Sequence, residues 1–244
     1  MTRTVRLVVF GLGGAALAVL FALALLRMPP FGTADHPYRD LAVAAAAAHQ
    51  TGNAVSSVNF DVRGLDTLGE EIILLGSVVG AATLLRPARD ESERREPRGG
   101  RVLDSTALLC WVLLAVTTLI GIDVVVHGHL TPGGGFQGGV VLATGLHLLY
   151  LAGSYPALRR LRPLSWYQWG EGVGAAGFAA IGVAGTVAGG AYLANVLPLG
   201  TLGHIASAGT VPLLSLAVGV AVTCGTVVLL AQFLTQELRI TRRE

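Results

Sequence analysis

Polar and charged residues in this chain are confined to short intervals between long apolar runs. A helix needs about 20 mainly apolar residues to cross about 30 Å of hydrocarbon. Runs of that kind lie at about 5–26, 66–85, 103–126, 136–153, 170–194 and 209–235, and they predict an all-α, polytopic membrane protein with six transmembrane helices. The first run, VRLVVFGLGGAALAVLFALALL, follows Arg3 and Arg6. It is longer than the apolar part of a typical signal peptide, and RMPPF follows it without a small-residue cleavage pattern, so it is read as a retained span.

Composition agrees with that pattern. Hydrophobic residues make up 52% of the 244 residues and charged residues only 13%, and the mean hydropathy of +0.64 lies outside the ordinary soluble range. Every basic side chain is an arginine. With the N-terminus in the cytoplasm, all of them except Arg27, Arg39 and Arg63 fall on the inner side, so the positive-inside rule predicts two cytoplasmic termini and an even number of spans. A net charge of +2 points to no nucleic-acid partner. Cys110 and Cys224 sit inside spans with no Cys/His cluster at metal spacing, and are read as small buried apolar residues. No metal and no cofactor is expected.

The stretch RPARDESERREPRGGR, residues 86–101, mixes arginines with acids and glycines and reads as a solvated linker. It suggests a two-span unit over 1–88, a charged cytoplasmic linker over 89–101, a four-span domain over 102–238 and a cytoplasmic tail over 239–244. Asp104, Ser105 and Thr106 are N-cap candidates for the third span. Paired broken helices, which let a small chain alternate access by itself, are not apparent.

Several polar residues are costly at membrane depth, about 2.5 to 3.5 kcal/mol per charge near the bilayer centre and less near the interface. Asp66, Glu70 and Ser77 recur at i, i+4 and i+11 on one helical face, whereas Glu71 is turned about 100° away. Desolvation favours the neutral form of a carboxyl, so a partly buried acid can load and release a proton near neutral pH. Glu70 is the candidate for that task, and Glu71 is expected to be wet at the headgroup level. Asp123 and His127 form a second i, i+4 pair, able to share a hydrogen bond. His147, in the fourth run, and Glu171, which opens the fifth beside Trp166, Tyr167 and Trp169, are further candidates for a proton path.

Between the third and fourth runs lies HGHLTPGGGFQGG, residues 127–139. Its His127, Gly128 and His129 lead into Pro132, Gly133, Gly134 and Gly135, then Phe136, Gly138 and Gly139. Proline lacks an N–H and glycine permits positive φ, so helical structure ends here and the chain turns back tightly. Gly134 with Gly138, and Gly135 with Gly139, give two overlapping GxxxG spacings that let another backbone approach. Irregular backbone at membrane depth survives only when packed in protein or lining a wet cavity. The stretch lacks the strand and the Gly-Lys-Ser/Thr of a phosphate loop, and its two histidines lack a third ligand. It is read as a packing corner. Further GxxxG spacings at Gly76–Gly80, Gly170–Gly174 and Gly185–Gly189 suggest helix partners in other subunits.

A family resemblance rests on these residues. HGHLTPGGGFQGG, the Glu-Gly-x-Gly opening of the fifth run and the N-x-L-P-x-G-x-x-G-x-x-x-S-A-G series from Asn195 to Gly209 resemble the MnhB-type domain of the Mrp-type multisubunit Na+/H+ antiporters, over residues 101–238. NAVSSVNFDVRGLDTLGEE, residues 53–71, resembles the segment before the last helix of the large MnhA-type component of those antiporters, and the small subunit carrying that segment in membrane-bound hydrogenases. Val62 and Leu65 stand where that family usually has aromatics. The resemblance implies that the glutamate of DTLGE, here Glu70, is linked to ion transport, and that Pro132 to Phe136 matter for function or assembly.

The expected function is an accessory, non-enzymatic subunit of a sodium/proton antiporter in a bacterial inner membrane. Its partners would be the other antiporter subunits and the bilayer, with Na+ and H+ as transported ions. Glu70 would carry protons, with Asp66 and Arg63 setting its charge balance and His147 as a polar relay. An equivalent subunit of a membrane-bound hydrogenase and a purely structural scaffold are the alternatives. An intramembrane enzyme using His127, His129 or Ser207 lacks a nucleophile, base and orienting group at recognisable spacing.

Overall fold

A computed structural model of the chain describes residues 3–28, 32, 34, 36–85, 102–153 and 164–234. The described residues are mostly helical, with no strand among them. In chain order the helices are α1 (Arg3–Leu26), α2 (Pro37–Ala48), α3 (Ala54–Ser57), α4 (Gly64–Leu84), α5 (Asp104–Val126), α6 (Gly135–Leu151), α7 (Leu164–Gly189) and α8 (Val211–Leu234). A single π-helical turn, Val58–Val62, joins α3 to α4. The chain divides into two compact units, residues 1–39 and 40–244. The linker expected at 89–101 and the tail at 239–244 lie outside the described residues.

Five helices, α1, α4, α5, α7 and α8, are long and apolar enough to cross a membrane, whereas α6 is a shorter apolar helix of 17 residues. This helix matches the expected fourth span to within two residues, with Gly134 at φ +135° before its first residue and Gly153 at φ +69° after its last turn. The N-cap of α5 also differs from expectation. Leu103 occupies that position without a side-chain bond, and Asp104 is the first helical residue, where its charge complements the helix dipole instead. α7 begins and ends earlier than its apolar run. Gly190 at φ +77° provides the left-handed residue that terminates it. Trp166 and Trp169 stand exposed on its first turns, as an interfacial belt requires.

Within the second unit α8 is central, packing against α4, α5, α6 and α7 and burying the largest share of any span. Phe178, Leu214, Val218 and Val222 form its core, joined by Phe60 of the π-helical turn, whose ring centroid lies 6.3 Å from that of Phe178. The segment 190–210 between α7 and α8 is non-helical yet packed. Asn195 clasps it by accepting from the Thr210 N–H at 2.9 Å and donating to the Ala208 carbonyl at 3.1 Å. Leu193 is seated in the core, with its N–H on the Gly182 carbonyl.

Candidate functional site

Asn53 sets the geometry at the start of the site. Its side-chain oxygen caps α3 by accepting from the N–H groups of Val55 and Ser56. Its amide nitrogen donates to the carbonyls of Gly128 and Thr131, each at 2.9 Å, and its own N–H bonds to the His129 carbonyl. One side chain thereby fixes the entry to α4 against the glycine corner. After the π-helical turn, the Thr67 hydroxyl donates to the Asn59 carbonyl at 2.7 Å and pins the first turns of α4.

The result is an open groove of about 610 Å³. One wall is α4, presenting Thr67, Glu70, Leu74 and Ser77, and the other is the glycine corner from Gly133 to Gln137. The two distinctive motifs of the sequence, DTLGE and Pro-Gly-Gly-Gly-Phe, therefore meet in one cleft. Glu70, expected to be the partly buried acid, is instead exposed on the surface of this chain and faces that cleft, because the other face of α4 is the one its neighbours cover. Asp66 pairs with Arg63 at i, i+3, and both are exposed. Asp66, His147 and Glu171 do not line the groove: His147 is half-buried in α6 and Glu171 is buried in α7.

Glu71 departs from expectation. It is 2% exposed rather than wet, because the 100° turn from Glu70 points it at the seam with α7 and α8 instead of the cleft. Glu171, at 4% exposed, lies in the same seam, its Oε1 resting over Gly225 of α8. The signal that separates Glu70 from Glu71 was visible as helical phase. What phase alone lacks is which face of α4 its neighbours cover.

The corner itself is built as a packing element. Gly133 and Gly134 have φ of +131° and +135°, a backbone available to few other residues. His127 and Asp123 make the expected pair, with Nδ1 2.9 Å from the carboxylate. His129 is 1% exposed, and its Nε2 donates to the Ile205 carbonyl at 3.1 Å, which fixes the neutral tautomer. Burial holds this imidazole below its ordinary value of 6.5, against the opposing pull of the backbone carbonyls. Below about pH 6.5 the unfolded chain therefore binds more protons than the folded one, so the stability His129 contributes is complete above that pH and is lost as pH falls. The thermal midpoint of the detergent-solubilised chain is expected to drop between about pH 7.5 and about pH 5.5. His129→Gln should flatten that drop, and an unchanged slope in the variant contradicts the assignment.

Most of the small-residue faces are used inside the chain, which narrows the expectation of outside partners. A Cβ at Gly138 would lie 2.8 Å from the Gly121 carbonyl oxygen, one at Gly174 would lie 2.6 Å from the Ala221 nitrogen, and one at Gly185 would lie 2.6 Å from the Ala194 nitrogen. By contrast nothing lies within 4 Å at Gly76 or Gly80, so α4 presents an open small face.

Known proteins resemble this chain. A family model described as a domain related to the MnhB subunit of Na+/H+ antiporter matches residues 106–228, from α5 to α8. An uncharacterized protein of Methanocaldococcus jannaschii is 31% identical over 199 residues, covering 71% of this chain and 73% of its own length. A probable K(+)/H(+) antiporter A/B-type component of Rhizobium meliloti is 29% identical over 143 residues, which is 48% of this chain but 14% of that protein. Among solved structures, a chain of the membrane-bound sulfane sulfur reductase, an archaeal respiratory membrane complex, superposes with a TM-score of 0.72 at 28% identity, covering 96% of this chain and 100% of that one. A chain of the Mrp complex from Dietzia sp. DQ12-45-1b superposes with a TM-score of 0.68 at 23% identity, covering 98% of this chain and 27% of that one, and so shares the fold. With its helices, its glycine corner and these matches in hand, the chain belongs to the family of membrane domains related to the MnhB subunit of Na+/H+ antiporters.

Proposed function

We propose that this chain is an accessory subunit of a multisubunit monovalent cation/proton antiporter, with Glu70 as its groove-facing proton carrier. One observation carries the reading: Glu70 and the Gly133–Gln137 corner line the same cleft, although more than 60 residues separate them in sequence. A carboxylate at that place accepts a proton from water in the cleft, while the corner fixes the cleft's far wall. The Arg63–Asp66 pair sits one turn away from Glu70 and sets the local charge balance. His147 and Glu171 are proposed as further polar stations, in α6 and α7. Transport requires partner subunits, and both termini are proposed to face the cytoplasm of a bacterial cell. The cation is sodium or potassium.

A second reading couples the same module to a redox-driven membrane complex such as a hydrogenase. The likeness to a chain of the sulfane sulfur reductase complex over its whole length favours it. Purification of the tagged chain from native membranes in mild detergent, followed by identification of what accompanies it, separates the two. The antiporter reading expects antiporter-like membrane subunits and no iron–sulfur protein. Co-purifying iron–sulfur proteins establish the second reading, and a chain that purifies alone contradicts both.

A further inference from the structure

Two acids lie deeper in this chain than Glu70, and each has a buried carboxyl oxygen without a polar partner among the described residues. Glu71 of α4 is 2% exposed and Glu171 of α7 is 4% exposed. Among the described residues, Oε1 of each has no hydrogen-bond partner. Burying an ionised carboxylate without a partner costs far more than burying a neutral acid, so such a group takes up a proton or acquires a counter-ion.

The surroundings favour the proton. Glu71 lies within electrostatic reach of both Glu70 and Glu171, so a bare charge on one disfavours a bare charge on the next. No group of three or more His, Cys, Asp or Glu side chains that could hold a metal ion occurs among the described residues. Val78 of α4 is buried in the seam between α4, α7 and α8, against Gly225. Among the described residues, the Cys224 thiol of α8 is a further titratable group beside Glu171. Asp61, on the π-helical turn that packs against α4, is already engaged by His49.

Position along the helices orders the pair. Val78 is two turns beyond Glu71 on α4, a rise of about 10 Å. A Cβ at Gly225 would lie 2.8 Å from Oε1 of Glu171 and 3.4 Å from Cγ2 of Val78, so the Glu171 carboxyl sits near the level of Val78. Glu70 opens on the cleft, Glu71 follows it into the seam, and Glu171 lies deeper.

We propose that Glu71 and Glu171 are two internal proton-holding carboxyls that extend inward the route beginning at Glu70. This rests on the proton-carrying reading of Glu70. A proton leaving the Glu70 carboxyl binds the Glu71 carboxylate and makes it a neutral acid. Its onward transfer to the Glu171 carboxylate makes Glu171 a neutral acid and returns Glu71 to the ionised form, so one proton moves and charge is conserved at each transfer. Gly225 is the residue that leaves room for the Glu171 carboxyl against α8.

Infrared difference spectroscopy of the purified native complex at neutral pH tests this directly, through the C=O stretch of protonated carboxyls. Glu71→Gln and Glu171→Gln are each expected to remove part of that band, the double variant more than either, and Glu70→Gln to leave those components in place. Glu71→Asp and Glu171→Asp keep a carboxyl and should shift the corresponding component rather than delete it, which separates loss of an acid from loss of the fold. A band untouched by changes at 71 and 171, or removed by Glu70→Gln alone, overturns the proposal. So does a band abolished by sodium or potassium chloride but not by choline chloride, since the seam would then hold a cation. The readout needs no transport, so a complex that exchanges no cation can still show both acids, and failure of the antiporter reading is seen separately.

Discussion

Gly135→Val is expected to prevent the chain from accumulating in the membrane. A Cβ at this position would lie 2.8 Å from the Gly219 nitrogen and 2.8 Å from Cβ of Val218, so α8, the central helix, would have to move bodily. Inserting atoms into a filled core costs about 1–3 kcal/mol even where side chains can yield, and more where the obstacle is backbone. Gly138→Val should behave alike, because the added Cβ would meet the Gly121 carbonyl oxygen at 2.8 Å and the Val125 nitrogen at 2.9 Å on α5. Gly76→Ala and Gly80→Ala on α4 are the contrasting pair, with nothing within 4 Å, and should leave the amount and thermal midpoint of the isolated chain unchanged. Immunoblots of membranes and thermal unfolding in detergent check both. Full accumulation of Gly135→Val would show that the corner is not the packing element described above.

The glycine corner was legible from sequence because its signal is local. Proline and glycine announce a turn, and GxxxG spacings announce close helix contact, before any partner is known. The partners were not legible. Those spacings suggested other subunits, yet α5 and α8 of this chain fill most of them, since which helix covers which face is settled by three-dimensional packing. The same limit explains Glu71. Helical phase separated it from Glu70, but nothing in the sequence says that α7 and α8 lie on the Glu71 side and a cleft on the other. The packed segment 190–210 was read partly as helix because its first residues continue the apolar run. Gly190 stops α7 there, and Asn195 then organises a compact non-helical fold through bonds to Ala208 and Thr210. Residues 37–48 offered no pattern that assigned them a role, and they form a short alanine-rich helix.

Glu70→Gln is expected to stop proton-coupled exchange by the intact complex while leaving its assembly unaffected. Glutamine keeps the shape of the side chain and the lining of the cleft but cannot take up or release a proton. The side chain is exposed on this chain, so the exchange of an acid for an amide carries little folding penalty. The expected loss is roughly 10²-fold or more, the scale typical of removing a proton-transferring group. A purely structural role predicts the opposite ranking, with damage from Gly135→Val and none from Glu70→Gln. The two substitutions therefore divide packing from proton handling within one groove.

The most direct measurement reconstitutes the co-purified complex into vesicles and follows proton movement driven by a sodium or potassium gradient, wild type beside Glu70→Gln. The account predicts the same subunits in both preparations and exchange at background in the variant. A Glu70→Gln complex that exchanges at the wild-type rate would contradict it.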